Sequence, residues 1–295
     1  MKKVKLFLLS VASLLLVSAC GTTETVPLTG RKHQVSSNYS NAQMLSLGSQ
    51  EYTKFMSTAQ KSTDVANSAM VQRVGERLSK AVTSYLNSHG YASDASSFRW
   101  EFNLVQSKEA NAWCLPGGKI VVYEGLLPYT KNETALAIVL GHEIAHAVAK
   151  HSAEQLTKQQ NQQTGTSILG TVLNQTVGNG VGNVASAVAG QYFSFRNLKY
   201  SRDNETEADY MGLIFAAMAG YDPQQAIPFW KRMSQGSSSN QSDIFSDHPS
   251  DAKRIAALQK EMPTALKYYK PQTTYKVGSK GKTSTTRKKT TTRRR

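Results

Sequence analysis

The chain has 295 residues and a net charge of +15, and this length is enough for one or two domains with a substantial core. The charge is unevenly placed: residues 262–295 contain eleven Lys and Arg and no acid, residues 1–20 contain three Lys, and the middle of the chain is nearly neutral. Because a nucleic-acid footprint should lie on the folded domain itself, this distribution argues against nucleic-acid binding by the domain.

Residues 1–20 have the three regions of a secretory signal. Three lysines precede an apolar run from Leu6 to Val17, which is too short to span a membrane, and the stretch ends in small residues and Cys20. The ending VSAC resembles a bacterial lipobox, so we expect Cys20 to be lipidated. A plain signal peptide that contains a cysteine is the alternative. A lipidated Cys20 would leave Cys114 without an intramolecular disulfide partner.

The middle of the chain is predicted to be a mostly helical domain with a small sheet. Residues 21–41 lack apolar periodicity and are predicted to be a tether, and the domain is expected over residues 42–263. Period-two alternation predicts a half-buried strand over residues 98–105, and a second strand follows a Pro-Gly-Gly turn at residues 119–123. Spacings of three and four predict a helix around Val71, Val74, Leu78, Val82 and Tyr85. The expected fold class is α+β, predominantly α-helical.

The second half of the chain alternates helical patterns with irregular segments. Residues 165–190 contain too many polar residues for a membrane span and no phosphate-binding pattern, so we expect loosely packed helix and flexible loop. Three helices are predicted to end at Gly220, Met233 and Pro263. Residues 264–295 are basic and low in complexity, which predicts a disordered tail.

The segment GHEIAHAVAKH, residues 141–151, is the strongest chemical signal in the sequence. His142 and His146 lie one helical turn apart on one face, so both imidazoles can reach one ion, and zinc suits two imidazoles with a carboxylate. Glu143 would stand beside the ion, where a general base takes a proton from the attacking water. On a continuous helix His151 lies about 140° from His146, so we exclude it from the metal site and expect it to be exposed near the helix end.

A third ligand is needed to complete such a site. The metzincin pattern requires Gly at 149 and His at 152, but the chain has Ala149 and Ser152. The remaining common solution is a glutamate on a later helix, with an aspartate one turn further on that orients a ligating histidine. The sequence SRDNETEAD offers Glu205 and Asp209 at this spacing, whereas Glu207 should face elsewhere.

Four motifs, in chain order, resemble one protein family. They are NAWCLPGGKIVVYEGLL, GHEIAHAVAKH, SRDNETEAD and DHPSDAKRI, and they cover about residues 42–262. The family is that of the zinc metallopeptidases related to the CAAX prenyl endoprotease, in particular its periplasmic lipoprotein members and the protease domain of a beta-barrel assembly-enhancing type. The resemblance implies a gluzincin fold with an active-site helix and one Zn²⁺ per chain. It also implies site roles: His142, His146 and Glu205 as zinc ligands, Glu143 as the catalytic glutamate and Asp209 as a supporting acid.

The resemblance further implies a substrate-binding edge strand, because in this family the strand after Pro-Gly-Gly borders the cleft. An exposed strand edge binds extended chains through main-chain hydrogen bonds with little sequence preference. A purely structural hairpin is the alternative. A nucleophilic Cys114 is also conceivable, but the sequence offers no third group to orient a Cys/His pair. The residues expected to bind substrate are Asn111, Ala112, Lys119, Ile120, Val121, Val122 and Tyr123.

His248, in the HP motif, has three open roles. By resemblance to similar periplasmic proteases it acts as a fourth zinc ligand and regulatory latch, which is the hypothesis we prefer. Stabilisation of the oxyanion and capping of the helix that begins at Pro249 are the alternatives.

These features together predict a membrane-anchored zinc metalloendopeptidase of the bacterial envelope that cleaves misfolded or envelope proteins. The outer membrane, on its periplasmic face, is the expected location, because no inner-membrane retention signal follows Cys20. Outer-membrane assembly machinery is an expected partner. A catalytically idle, chaperone-like lipoprotein on the same fold is the alternative. The basic tail is expected either to bind anionic envelope polymers or to be a dispensable solvated segment.

Overall fold

The computed structural model describes four parts of the chain: residues 21–163, 195, 198–236 and 252–271. The predicted signal segment, the segment 165–190, His248 and the basic tail from residue 272 onward lie outside these parts. Among the helices of the described residues, none is both long and apolar enough to cross a membrane.

The first described element is a hairpin, which we call the N-terminal hairpin. Strands β1 (Gly21–Thr25) and β2 (Lys32–Ser36) pair antiparallel, and the buried side chains include Val26 and Val35. The prediction of a tether over residues 21–41 is therefore wrong. Each strand is short and mostly polar because only alternate residues of β2 face the domain, and such a pattern is easily taken for a loop.

Three helices lead from the N-terminal hairpin to the central sheet: α1 (Asn41–Met56), α2 (Val65–Ser88) and α3 (Ala92–Ser97). Helix α2 is the helix predicted from apolar spacing, and it is confirmed, with Val71, Val74, Leu78 and Val82 fully buried. Gly75 lets α2 lie against the sheet, since a Cβ atom there would come within 2.2 Å of the Phe102 ring.

The sheet contains β3 (Glu101–Val105), β4 (Ala112–Leu115) and β5 (Lys119–Tyr123), in the spatial order β3-β5-β4. Strand β3 is parallel to β5, and β4 is antiparallel to it. The predicted strands over residues 98–105 and 119–123 are confirmed, the first in shortened form. Strand β4 was missed because AWCL is a continuous apolar run, buried on both faces, without the alternation that identifies a half-buried strand.

The prediction that β5 is the exposed edge of the sheet is wrong. Residues Lys119, Ile120, Val121, Val122 and Tyr123 pair with β3 on one side and β4 on the other. The positive φ angles of Gly117 and Gly118, 91° and 85°, turn the chain so that β4 folds back along β5. The outer side of β3 is covered by residues 60–62, where the Ser62 N–H donates to the Leu104 carbonyl at 2.9 Å. Among the described residues, β4 is therefore the edge without a strand partner.

The helices that build the site follow the sheet: α4 (Leu127–Thr130), α5 (Glu133–Val148), α6 from residue 151 to at least residue 163, and α7 (Arg202–Met218). The predicted continuous helix through His151 is wrong, because α5 ends at Val148 and Lys150 has a left-handed φ of 56°. A non-glycine residue in this region is strained, and Lys150 is held by ion pairs to Glu24 of the N-terminal hairpin and Asp94, at 2.8 and 3.0 Å.

Helices α5 and α7 cross at two glycines. A Cβ atom on Gly141 would lie 2.7 Å from the Gly212 carbonyl oxygen, and one on Gly212 would lie 2.6 Å from the His142 nitrogen. Only residues without a side chain permit so close an approach of the two backbones. The crossing brings the first turns of α7 beside the histidines of α5.

The C-terminal part of the domain contains α8 (Ala226–Gly236) and α9 (Ala252–Tyr268). The prediction that Pro263 ends the last helix is wrong, because Pro263 lies inside α9. The predicted disordered tail, residues 264–295, is wrong for residues 264–268, which belong to the same helix. An interior proline costs about 3 kcal/mol. Leu258 and Ala265, which precede and follow Pro263 in the same helix, are both buried in the domain core. With most described residues in helices around a three-stranded sheet, the predicted α+β, predominantly helical class is confirmed.

Candidate metal centre

The two histidines of α5 converge as the sequence predicts. The His142 and His146 side chains are each 2% exposed, and their Nε2 atoms lie 3.1 Å apart. Such a distance between two ring nitrogens allows both to coordinate one ion. The pair lies between α7 and Tyr200, whose ring stacks on the His146 ring with centroids 4.1 Å apart.

Glu205 on α7 supplies the predicted third group. One of its carboxylate oxygens lies 3.4 Å from the Nε2 atom of His142, and the other lies 3.6 Å from the Nε2 atom of His146. Ligands about 2.0–2.1 Å from a tetrahedral zinc ion are separated by about 3.3–3.4 Å, so these three buried groups fit one zinc ion. Within the described residues they form the group of His, Cys, Asp or Glu side chains that converges tightly enough to hold a metal.

Asp209 supports His142 from the other side of the ring, as predicted. The His142 Nδ1 atom lies 3.0 Å from the Asp209 carboxylate, which leaves the Nε2 lone pair directed at the site. Burial alone would lower the pKa of His142, but the bonds to Asp209 and Glu205 outweigh it and raise the pKa to about 9. The site therefore favours a positive charge at Nε2, which is what a metal ion provides.

Arg254 on α9 is a functional residue that the sequence analysis missed. Its guanidinium donates to both oxygens of Asp209, at 2.7 and 2.8 Å, and a third nitrogen lies 3.2 Å from Glu205. Burial raises the pKa of Asp209, but the charge of Arg254 outweighs this effect and keeps the pKa below its usual value. The motif DHPSDAKRI contained this arginine, but an isolated Arg in an amphipathic helix gives no local signal that it points inward.

Glu143 lies on the same helix turn as His142 and is also buried, at 3% exposure. Burial raises the pKa values of Cys114 and Tyr200, and the negative charge of Glu143 raises both further. Helix α5, which carries Glu143, packs against β4. Cys114 is a free, buried cysteine. Its raised pKa keeps the thiol protonated, which argues against the alternative of a cysteine nucleophile.

His151 is buried, and the prediction that it is exposed is wrong. Its Nδ1 atom lies 2.9 Å from the Nδ1 atom of His146, and its Nε2 atom lies 3.0 Å from the Glu207 carboxylate. The helical wheel failed because it assumed one continuous helix, whereas the left-handed Lys150 turns the chain before α6 begins. The exclusion of His151 from the ligand set itself agrees with the structure.

Glu207 faces away from the metal site, as predicted, but it belongs to a buried ionic cluster that the sequence did not indicate. Arg31 of the N-terminal hairpin binds both Glu207 and Glu154, with its Nη2 atom at 2.6 and 2.8 Å from their carboxylates. Burial raises the pKa of each acid, yet hydrogen bonds lower both values to about 2, from Arg31 and Lys158 at Glu154 and from His151, Arg31 and Thr29 at Glu207. No local pattern could have indicated a cluster that joins residues more than a hundred positions apart.

Strand β4 is the edge of the sheet that has no strand partner among the described residues. The carbonyls of Asn111 and Leu115 accept hydrogen bonds from the β5 side, from Tyr123 and Gly118 at 3.0 Å. Because backbone groups alternate along a strand, those of Ala112 and Cys114 point to the other side, away from β5. Of the residues predicted to bind substrate, Asn111 and Ala112 lie at this edge, whereas residues 119–123 do not.

Sequence comparisons agree with this geometry. Residues 66–262 match the sequence profile of peptidase family M48. The chain is 36% identical over 180 residues to the mitochondrial metalloendopeptidase OMA1 of Schizosaccharomyces pombe, covering 59% of this chain and 50% of that protein. It is 35% identical over 223 residues to OMA1 of Arabidopsis thaliana, covering 75% and 42%. It is 31% identical over 183 residues to the beta-barrel assembly-enhancing protease of Escherichia coli, covering 59% and 38%.

The chain thus spans half or less of the length of these curated relatives. The family match, in contrast, covers about two thirds of the chain, from α2 to α9, and includes every residue of the His-His-Glu site. The chain therefore belongs to peptidase family M48, and its site is that of a gluzincin metallopeptidase.

Proposed function

We propose that the protein is a zinc-dependent metalloendopeptidase. The observation that carries this proposal is the convergence of His142, His146 and Glu205, whose ligand atoms lie 3.1–3.6 Å apart in a buried site. When bound, Zn²⁺ supplies a Lewis acid that polarises the substrate carbonyl and lowers the pKa of water to about 7.

The protein's own groups perform the remaining steps of peptide hydrolysis. Glu143 accepts the proton of the attacking water and delivers it to the leaving amine, which its place beside the ligands permits. Asp209 and Arg254 hold His142 and Glu205 in position through short charged hydrogen bonds. Because these groups are buried and bound in advance, little reorganisation is needed during the reaction.

The substrate is proposed to bind as an extended strand along β4. The Cys114 backbone groups and the Ala112 carbonyl face away from β5 and offer the donors and acceptors of a sheet edge, and helix α5, which carries Glu143, packs against the same strand. Main-chain pairing reads no side-chain sequence, so it suits unfolded segments of many proteins. This arrangement replaces the predicted pairing through residues 119–123.

The proposed setting is the bacterial envelope, with quality control of misfolded or envelope proteins as the role. The support is the sequence: a lysine-rich start, an apolar run and VSAC ending at Cys20, which we propose to be lipidated. The name of the Escherichia coli relative refers to beta-barrel assembly, which makes outer-membrane assembly machinery a proposed partner. The basic residues after 271 are proposed to bind anionic envelope polymers.

The test is to compare wild type, Glu143→Gln and Glu205→Gln as purified full-length proteins. We expect wild type to contain zinc and to cleave unfolded casein in a chelator-sensitive reaction. Glu143→Gln should retain zinc and lose at least about a hundredfold in activity, because general base catalysis is removed. Glu205→Gln should lose both zinc and activity, and the exposed-site variant Glu109→Gln should lose neither. Full casein cleavage by Glu143→Gln would refute the proposed mechanism.

The alternative is a catalytically idle, chaperone-like lipoprotein. A cellular version of the same experiment distinguishes it from the proposed metalloendopeptidase. If Glu143→Gln restores every phenotype of a deletion strain, binding is the function and catalysis is dispensable. We expect no restoration, since a buried glutamate beside a complete His-His-Glu ligand set is the arrangement that hydrolysis requires.

A further inference from the structure

The two zinc-ligand histidines differ in what holds their second ring nitrogen. His142 contacts a carboxylate, that of Asp209, which is a common support for a metal-binding histidine. His146 instead contacts another histidine, His151, at 2.9 Å between the Nδ1 atoms. An imidazole is an unusual partner in this place, because it must be in the correct tautomer to accept a hydrogen bond.

The protons of this contact can be assigned one by one. A metal-binding Nε2 of His146 carries no proton, so the Nδ1 atom of the neutral ring carries one and donates it. His151 then accepts at Nδ1 and, as a neutral ring, carries its own proton at Nε2. That proton is donated to Glu207, 3.0 Å away. Every hydrogen bond from His146 to Glu207 therefore runs in one direction.

Glu207 is suited to end this chain, because it is fixed and ionised. Thr29 and Arg31 donate to its two oxygens, at 2.5 and 2.7 Å. Its side chain is 7% exposed, so water competes little for these bonds. Both donors belong to the turn of the N-terminal hairpin, a segment that the sequence predicts as a tether.

From this geometry we infer that His151 is a positioning residue for the zinc ligand His146, and that Glu207 and Arg31 hold it in the accepting tautomer. This inference rests on the proposed zinc site, but not on peptidase activity. It makes zinc affinity depend on the N-terminal hairpin, because Arg31 of the hairpin is connected to the ligand His146 through Glu207 and His151.

A comparison of two similar acids distinguishes the positioning of His146 from general stabilisation of the hairpin. Glu207 and Glu154 both bind the guanidinium of Arg31, both are nearly buried, and both have the pKa lowered to about 2. Only Glu207 contacts His151. Replacing either acid by glutamine disturbs hairpin docking, but only the change at Glu207 reaches His146.

The experiment measures zinc affinity of the full-length protein by competition with a chromophoric chelator. We expect His151→Leu to weaken zinc binding about 10- to 100-fold, as loss of an outer partner of a metal ligand does in other sites. His151→Asn, whose side-chain oxygen can replace the accepting Nδ1 atom, should recover much of this loss. Glu207→Gln should weaken zinc binding, and Glu154→Gln should leave it unchanged.

Two further readouts make the result independent of folding and of catalysis. Urea unfolding of each metal-free variant identifies any variant that no longer folds, in which case the Glu207→Gln and Glu154→Gln pair decides. The visible absorption of the cobalt-substituted protein should change in His151→Leu and Glu207→Gln, because the orientation of His146 changes. A purely structural role would leave that spectrum as in wild type.

Unchanged zinc affinity in His151→Leu, or equal losses in Glu207→Gln and Glu154→Gln, would overturn the inference. Failure of the proposed function has a different appearance. A wild-type protein that binds zinc but cleaves no casein would refute the peptidase proposal and leave the positioning role intact.

Discussion

The two histidines of the metal centre are supported by different residues. On the His142 side, an aspartate touches the ligand directly and is held by Arg254 from the last helix. On the His146 side, a histidine touches the ligand, and the ionised acid stands one residue further out. The cation of the second side, Arg31, comes from the N-terminal hairpin.

The residues that support His142 and those that support His146 also come from different parts of the sequence. The His142 side is assembled from helices α5, α7 and α9, which lie in the part of the chain that matches the family profile. The His146 side depends on Arg31, which precedes that part. The first support therefore belongs to the shared fold, whereas the second joins the metal centre to a segment outside the family match.

The largest effect is expected from breaking the direct support with Asp209→Asn. An asparagine oxygen can still accept from His142, but the negative charge that increases the basicity of the ligand is lost and Arg254 loses a partner. We expect zinc affinity to fall about 10- to 100-fold, by more than in Glu207→Gln, whose charge acts through an intervening ring. Chelator competition measures both, with Asp203→Asn, an exposed change on the same helix, as the control.

A smaller effect is expected from Gly212→Ala, which disturbs both supports together. The added methyl group would lie 2.6 Å from the backbone nitrogen of His142, so α5 and α7 must separate. Overpacking of this kind costs about 1–3 kcal/mol in the free energy of unfolding. Zinc affinity should fall as well, since Glu205 moves away from the histidines.

Gly75→Ala is the matched comparison for this prediction. It also adds a methyl group to a helix in a tight contact, against the Phe102 ring, and this helix, α2, carries none of the metal ligands or the residues that hold them. Urea denaturation should show a loss of stability in both variants, and chelator competition should show weaker zinc binding in Gly212→Ala alone. Equal zinc affinities in the two variants would contradict the role given to the helix crossing.

The smallest effect is expected from Glu154→Gln and is best seen as a function of pH. The folded-state pKa of Glu154 is lowered to about 2, so its contribution to stability is fully present above the ordinary value near 4.5 and is lost as the pH falls through 2. At pH 7 we expect a loss of about 1 kcal/mol, because Arg31 is partly exposed. The difference in unfolding free energy between wild type and variant should disappear between pH 4.5 and 2. A difference that stays constant over that range would show that the charge of Glu154 is not involved.

The metal ligands could be predicted because their spacing is local. His142 and His146 are one turn apart within α5, and Glu205 and Asp209 are one turn apart within α7, so the period of a single helix places each pair. The apolar residues of α2, spaced three and four positions apart, and the strands β3 and β5 were predictable for the same reason. In each case a repeating pattern covers one uninterrupted element.

The rest of the site could not be predicted because it depends on breaks and on long-range contacts. The left-handed Lys150 redirects the chain between α5 and α6, and one residue in that conformation moved His151 from the expected surface to the interior. The position of β4 at the sheet edge is decided by strand pairing, which short apolar runs do not reveal. The contacts of Arg31 and Arg254 are made by single side chains on elements distant in sequence.

With Cys20 lipidated as proposed, the N-terminal hairpin would limit how far the domain moves from the membrane. Strand β1 begins at Gly21, immediately after the cysteine proposed to carry lipid, and the hairpin is fastened to the domain by Arg31 and Lys150. A flexible tether, as the sequence predicts for residues 21–41, would let the domain reach substrates over a wide volume above the bilayer. A short, fastened connection would instead restrict it to chains that come within one molecular diameter of the membrane surface.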